Sequence, residues 1–168
     1  RVGMLRVLFT IFAEARARLR EGERWARLIF PHPPADLQEK RAQQEKLTDT
    51  RNAQPALGIC DLALYDVLRS VGVEAKHYAG HSYGELVALS AAGAISTASL
   101  PRLSALRGDS ILNATQGADA GKMAAVKGNA EAIAEVLKEA SGVEGVVLAN
   151  LNAPMQTVIS GPSASITQ

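Results

Sequence analysis

Residues 79–85 read AGHSYGE and contain the pattern Gly-x-Ser-x-Gly, with Ser82 at its centre. Residues 75–79 are short enough to form a β-strand, and residues 85–92 are rich in good helix formers. A serine on a sharp strand-to-helix turn is strained and exposed, and the flanking glycines let neighbouring chain pass close to it. The first amides of the following helix would point to where an oxyanion forms. This pattern predicts a nucleophile elbow; the alternative is a tight Gly/Ser turn between two core elements.

The longer string GHSYGE at residues 80–85 resembles the Gly-His-Ser-x-Gly-Glu motif of the malonyl-CoA:acyl-carrier-protein transacylase family. That family includes the acyltransferase domains of polyketide and fatty-acid synthases. Four more segments resemble family segments in the expected order: QPAL at 54–57, AAGAIS at 91–96, LRG at 106–108 and NAPMQTVISG at 152–161. The N-terminal part is most similar to the acyltransferases of enediyne and polyunsaturated-fatty-acid synthases.

The resemblance implies an α/β fold with two parts. Residues 1–121 would form the large subdomain, a partial hydrolase-like parallel sheet with flanking helices, lacking its first strand and its C-terminal part. Residues 122–168 would form part of an inserted ferredoxin-like α+β small subdomain, with the active site in the cleft between the two.

The residues of the second part point the same way. Strands are predicted at 122–127, 146–150 and 157–160, the last two separated by residues 152–154, with a helix at 130–140 that Asn129 would cap. A β-α-β-β order makes up most of a ferredoxin-like unit.

In the first part, apolar spacing predicts an amphipathic, core-facing helix over residues 4–20. Further helices are predicted at 25–30, at 35–46, from a cap within 48–50 to Ser70, and from Ser96 or Thr97 to about Asn113; residues 31–34 and 116–121 read as turns.

The resemblance also implies a mechanism. Ser82, deprotonated by a downstream histidine, would attack a malonyl thioester and form an acyl-enzyme. The backbone amide of Tyr83 and a donor from the missing first strand would stabilise the oxyanion. The ring of Tyr83 would lie at the mouth of the site and restrict the acyl group.

Three more residues are candidates for substrate binding. Arg107 lies on a helical stripe of apolar residues formed by Leu100, Leu103 and Ile111. An arginine on such a stripe is costly unless it meets an anion or several acceptors. The alternative is a snorkelling or internally paired arginine. By resemblance, Arg107 would hold the free carboxylate of a malonyl-type substrate, and Gln54 would organise the site rather than only satisfy local backbone. Asn152 would lie near the cleft, although it also suits a turn.

Two departures from the family pattern predict a fragment that is inactive alone. The family's N-terminal Gly-Gln-Gly-Ser-Gln strand is absent, and its base histidine lies downstream of the serine. Here His32, His77 and His81 all precede Ser82. Adjacent strand residues face opposite sides, so His81 should pack beneath the elbow instead of serving as the base; His32 and His77 should lie on the surface.

Composition excludes several classes of protein. Of 168 residues, 47% are hydrophobic and 21% charged, and the net charge of +1 leaves no basic stripe for nucleic acid. Cys60 is the only cysteine, which excludes an internal disulfide, indicates a reducing compartment such as the cytoplasm, and reads as a buried filler residue. No apolar run approaches the ~20 residues that cross a bilayer, and no Cys/His spacing predicts a metal site.

The resemblance therefore implies an acyltransferase that moves a malonyl-type group from CoA to the phosphopantetheine thiol of an acyl carrier protein in polyketide or fatty-acid biosynthesis. Its partners would be malonyl-CoA or a related acyl-CoA, the carrier protein and neighbouring synthase domains such as a ketosynthase, and the chain itself would bind no cofactor. The alternatives are a serine hydrolase (thioesterase or esterase) and a catalytically incomplete piece with a structural or docking role.

Overall fold

A computed structural model of the chain describes residues 1–114 and 119–168, which form two compact units, Arg1–Ile111 and Leu112–Gln168. Each unit is described by itself below. Part of the turn predicted at 116–121 lies outside the described residues. The division into subdomains at residue 121 stays a prediction.

Helices make up the regular structure described in the first unit. They are α1 (Arg6–Ile11), α2 (Ala13–Glu21), α3 (Glu23–Ile29), α4 (Leu37–Thr48), α5 (Thr50–Ser70), α6 (Gly84–Ala91) and α7 (Leu100–Ala114, which continues past the unit boundary). The predicted proline-rich break before α4 is confirmed, because residues 31–34 belong to no helix or strand.

Helix α5 lies at the centre of the first unit and contacts α2, α3, α4 and α6. Asp49 caps its start, accepting a hydrogen bond from the Arg51 amide at 2.9 Å, as the sequence predicts for residues 48–50. Its buried face meets buried side chains from the first four helices, and the core residues are Phe9, Ala15, Ile29, Leu47, Ala56, Ile59, Cys60, Ala63 and Val67. Burial raises the pKa of the Cys60 thiol to about 12, which confirms Cys60 as a structural filler residue.

The single helix predicted over residues 4–20 is two helices. Phe12 adopts an extended conformation with ψ 127° and separates α1 from α2. Arg16 donates from Nη1 to the carbonyl oxygens of Phe9 and Thr10 at 3.3 and 2.8 Å, satisfying acceptors that the end of α1 leaves open. Phe9 and Ala15 are both buried, as the apolar spacing predicts, although they lie on two helices and not on one.

Arg18 ties α2 to α5 through an ion pair. Its Nε donates to Asp66 Oδ2 at 2.6 Å and its Nη2 to Asp66 Oδ1 at 3.2 Å, in a two-pronged arrangement. The paired carboxylate raises the pKa of the Arg18 guanidinium, which keeps its charge at any working pH.

The expected parallel sheet is not found in residues 1–114 and 119–168. Residues 75–79, predicted as a strand, are exposed and form no strand. A segment forms a β-strand only by hydrogen-bonding to a neighbouring strand. The described part of the first unit contains no strand with which residues 75–79 could pair. The described fold is therefore a helix-rich mixed α/β structure with a small antiparallel sheet.

The second unit contains that sheet. Its elements are β1 (Lys122–Lys127), α8 (Ala130–Glu139), β2 (Val147–Ala153), β3 (Gln156–Gly161) and α9 (Ser163–Thr167). The strand order is β1-β3-β2, with β3 antiparallel to both neighbours; Lys122 pairs with Gly161 and Val147 with Ser160. The predicted cap of α8 is confirmed, since Asn129 Oδ1 accepts from the Ala132 amide at 2.8 Å.

The prediction that residues 152–154 separate the last two strands was wrong. Strand β2 runs through Ala153, and the turn is formed by Pro154 and Met155. Asn152 lies within β2 at an irregularity in its pairing with β3. The ferredoxin-like interpretation stays a prediction, because such a unit also needs a fourth strand and a second crossover helix.

Candidate functional site

Ser82 lies on a strained, exposed turn two residues ahead of α6. Its φ is 53°, in the left-handed region that non-glycine residues rarely occupy. Such backbone strain concentrates at functional sites. The predicted exposed, strained serine is therefore present, although the segment before it forms no strand.

The two glycines of the motif play different parts. A Cβ on Gly80 would overlap the carbonyl group of Gly84, so the close approach predicted for this glycine is confirmed. A Cβ on Gly84 would meet no described atom within 4 Å, and close packing does not account for that glycine.

The ring of Tyr83 is buried, so the prediction that it lies at the mouth of the site was wrong. Only 7% of Tyr83 is exposed. Its hydroxyl lies 2.8 Å from Ser104 Oγ, which itself donates to the Leu100 carbonyl oxygen at 2.6 Å. Tyr83 therefore donates and Ser104 accepts. A side chain on Gly58 of α5 would overlap the Tyr83 hydroxyl, so the ring needs that glycine.

The buried Tyr83 side chain connects the turn that carries Ser82 to α7. Burial also raises the pKa of the Tyr83 hydroxyl to about 12, so it stays protonated and keeps donating at neutral pH. The side chain of Tyr83, the residue directly after Ser82, is thus fixed to α7, and this restrains the backbone amide of Tyr83 as well.

Some of the backbone amides near Ser82 donate hydrogen bonds within the turn and others do not. Those of Gly84 and Glu85 donate to the carbonyl oxygens of His81 and Ser82 at 2.9 and 3.1 Å, closing the turn into α6. Among the hydrogen bonds of the described residues, none uses the Tyr83 amide. That amide is an available donor at the positive end of α6.

Arg107 connects Ser82 to Gln54. Its Nη1 donates to Gln54 Oε1 at 2.9 Å, and its Nη2 approaches Ser82 Oγ at 3.4 Å, the long end of the hydrogen-bond range. Gln54, in α5, is buried with 6% exposed, and Arg107, in α7, is half-buried. Three of the predicted site residues therefore meet, each from a different segment of the chain.

The apolar stripe predicted around Arg107 is only partly the buried side of α7. Leu103 and Ile111 are 36% and 42% exposed, whereas Leu100, Ser104 and Gly108 are buried. The buried side of α7 carries small residues where the start of α5 comes very close to it. A Cβ on Gly108 would lie 2.9 Å from Arg51 Cα. Arg107 directly precedes Gly108, and its guanidinium reaches Gln54 in the first turns of α5.

The prediction that His81 packs beneath the elbow was wrong, because His81 is exposed. His32 and His77 are exposed as predicted. In the described part of the chain, Arg107 is the group that hydrogen-bonds the Ser82 hydroxyl, and no histidine or carboxylate does so.

Asn152 is exposed in the second unit, so its assignment as a substrate-binding residue stays a prediction. Residues 1–114 and 119–168 hold no cluster of three or more His, Cys, Asp or Glu side chains placed to bind a metal ion. None of the helices in those ranges combines the length and apolar character that a bilayer crossing requires.

Three residues that support the site were not found from the sequence. Thr50 accepts a hydrogen bond from Gln54 Nε2 at 2.7 Å, and Ser104 and Gly58 receive the Tyr83 side chain. The spacing of four between Thr50 and Gln54 on one helix is the signal that could have identified the first.

Comparison with known proteins gives consistent results. A family model described as an acyl transferase domain matches residues 33–168. The malonyl CoA-acyl carrier protein transacylase of Bacillus subtilis is 40% identical over 124 residues, covering 73% of this chain and 39% of that protein. The acyl-carrier-protein-S-malonyltransferase of Bartonella henselae has a TM-score of 0.82 at 32% identity, over 99% of this chain and 53% of that one.

A third similar protein was solved as a complex: a type II polyketide-synthase acyl-carrier protein with its malonyl-transacylase, with a TM-score of 0.83 at 30% identity. It is matched over 99% of this chain and 53% of that chain. The chain thus spans about half the length of these structures and less of the Bacillus protein. By its match over residues 33–168 and these likenesses, the chain belongs to the acyl transferase domain family.

Proposed function

We propose that the protein carrying this chain transfers a malonyl group from CoA to the phosphopantetheine thiol of an acyl carrier protein, in fatty-acid or polyketide biosynthesis. The observation that carries the proposal is the guanidinium of Arg107 3.4 Å from the hydroxyl of a strained, exposed Ser82. The family and the malonyl-transferring relatives support it.

The short distance between Arg107 and Ser82 suits a malonyl group. A single methylene separates the malonyl carboxylate from the thioester carbonyl, so the cation that holds the carboxylate must lie beside the nucleophile. The guanidinium fork binds a carboxylate through two hydrogen bonds. Gln54 is uncharged and leaves the positive charge of Arg107 for the substrate. In this role Gln54 and Arg107 form the substrate-binding pair, and Asn152 is proposed as a further contact.

Ser82 acts as the nucleophile in this proposal. Its Oγ bonds to the thioester carbon while its proton passes to a base. The Tyr83 amide stabilises the oxyanion, and the C–S bond then breaks to release CoA. The phosphopantetheine thiol attacks the acyl-enzyme in turn and regenerates Ser82. We assign the base to a histidine outside these 168 residues, because no described histidine contacts Ser82.

Further expectations belong to the same proposal. Residues 1–121 would be the large subdomain and residues 122–168 the ferredoxin-like one. The carrier protein is the expected partner, as in the solved complex of a relative, and ketosynthase domains are expected neighbours. No bound cofactor is expected, and the cytoplasm stays the expected location.

The function is tested by following where the acyl group goes. The natural full-length protein, given malonyl-CoA and a phosphopantetheinylated carrier protein, should produce malonyl carrier protein and one CoA per malonyl group transferred. Carrier protein without phosphopantetheine is the control and should stay unmodified. Release of free malonate at the same rate with and without the carrier protein would identify a serine hydrolase instead.

Residues 1–168 alone are expected to show no such transfer. A serine hydroxyl without a base is a poor nucleophile at neutral pH, and in the described part of the chain the hydrogen bond to the Ser82 hydroxyl comes from a cation. The measurement compares malonyl transfer by the purified 168-residue chain and by the natural full-length protein. Ser82-dependent turnover by the shorter chain would reveal a base within it, and His77 and His81 would be the first residues to replace.

A further inference from the structure

We propose that Thr50 is a positioning residue for Arg107, acting through the side-chain amide of Gln54. The inference rests on the proposed malonyl transfer and adds a residue outside the motifs that led to it. Its basis is a continuous series of hydrogen bonds from Thr50 to Gln54, from Gln54 to Arg107, and on to Ser82.

The chemistry of the three side chains fixes the direction of each hydrogen bond. A guanidinium has donors only, so the Gln54 oxygen must face Arg107, as it does at 2.9 Å. The Gln54 nitrogen then faces the other way and needs an acceptor. Thr50 Oγ1 supplies it at 2.7 Å. The threonine hydroxyl therefore holds the amide in the one orientation that binds Arg107.

Burial makes this orientation matter. Gln54 is only 6% exposed, so its nitrogen has little access to water as a substitute partner. Without the Thr50 hydroxyl, a buried donor would be left unpaired, or the amide would rotate and turn that donor towards the cation. Either result weakens the hold on the Nη1 edge of Arg107.

The backbone places Thr50 and Arg107 close to each other, where α7 lies against the start of α5. Thr50 opens α5, and the neighbouring Asp49 is already engaged as the helix cap. Gly108, next to Arg107, lies against the same turn: a Cβ there would be 3.1 Å from the Thr50 carbonyl oxygen. Thr50 is thus the point at which the start of α5 sets the direction of a long, flexible arginine.

The test compares Thr50→Val with Thr50→Ser in the natural full-length protein. Valine keeps the shape of threonine without the hydroxyl, and serine keeps the hydroxyl. Loss of one neutral hydrogen bond should raise the KM for malonyl-CoA about three- to tenfold in Thr50→Val and change kcat by less than about twofold. Acetyl transfer should be unchanged, and Thr50→Ser should restore the wild-type KM.

A second measurement does not depend on activity. The ¹⁵N side-chain amide resonance of Gln54, assigned by its loss in Gln54→Leu, should move in Thr50→Val and keep its position in Thr50→Ser. If Thr50→Val does not fold, Thr50→Ala removes the same hydroxyl and is read in the same way.

The outcomes are separable. An unmoved Gln54 resonance, or equal losses of malonyl and acetyl transfer in a folded Thr50→Val protein, overturns the role of Thr50. Absence of malonyl transfer by the wild-type protein overturns the proposed function instead, and the amide resonance then still decides whether Thr50 orients Gln54.

Discussion

Replacing Ser82 with alanine in the natural full-length protein is expected to abolish the malonyl-enzyme and carrier-protein malonylation. In the proposed mechanism the Ser82 hydroxyl oxygen forms the new ester, and no other described hydroxyl is both on a strained, exposed turn and beside Arg107. Loss of a serine nucleophile lowers kcat by on the order of 10⁶, which places the residual rate below detection.

Intact-mass analysis after brief incubation with malonyl-CoA provides the measurement. The wild-type protein should gain the mass of one malonyl group on the peptide containing Ser82. Ser110→Ala is a matched control, since Ser110 is an exposed serine on α7, and it should label like the wild type. Labelling of Ser82→Ala at the wild-type level would disprove the assignment of the nucleophile.

Replacing Arg107 with alanine should cost malonyl transfer far more than acetyl transfer. Only the malonyl group carries a carboxylate that the guanidinium can bind. Charge-assisted hydrogen bonds contribute about 1.5–3 kcal/mol, so the malonyl-over-acetyl ratio of kcat/KM should fall by about tenfold or more. Arg107→Lys should recover only part of it, since an ammonium keeps the charge and loses the planar fork.

Arg102→Ala serves as the control, because Arg102 is an exposed arginine on the same helix. Its malonyl-over-acetyl ratio should equal that of the wild type, measured side by side with the two CoA substrates. Equal losses of malonyl and acetyl transfer in Arg107→Ala would mean that the contact between Arg107 and Gln54 is structural and that Arg107 does not bind the malonyl carboxylate.

Local signals in the sequence predicted much of the fold. The cap at Asp49, the end of α5 at Ser70 and the cap at Asn129 depend on residues close along the chain, and all are confirmed. The prediction of a strand at residues 75–79 was wrong because a strand depends on a partner that is distant along the chain. A strand is defined by its hydrogen bonds to a neighbour, and the length and position of a segment do not show whether a neighbour is present.

The candidate site was predictable in its residues but not in their orientation. The motif located Ser82, and the helical stripe directed attention to Arg107. Periodicity could not show that α7 turns Ser104 and Gly108 inward, because small residues carry little hydrophobic signal and yet allow the closest helix contacts. For the same reason the direction of the Tyr83 ring was missed: it depends on the absence of a side chain at Gly58.

Under the proposed function, the buried Tyr83 ring has a consequence for attempts to alter the acyl group that the protein accepts. Trimming the residue after a nucleophilic serine is an obvious way to enlarge an acyl pocket. Here the phenol is buried and hydrogen-bonds Ser104, whereas Ser82 is exposed. A smaller residue at this position would empty space under the serine and loosen the backbone that holds it. Under that proposal, substrate range is better sought in side chains that line the acyl group, with the Tyr83 ring left in place to support the turn that carries Ser82.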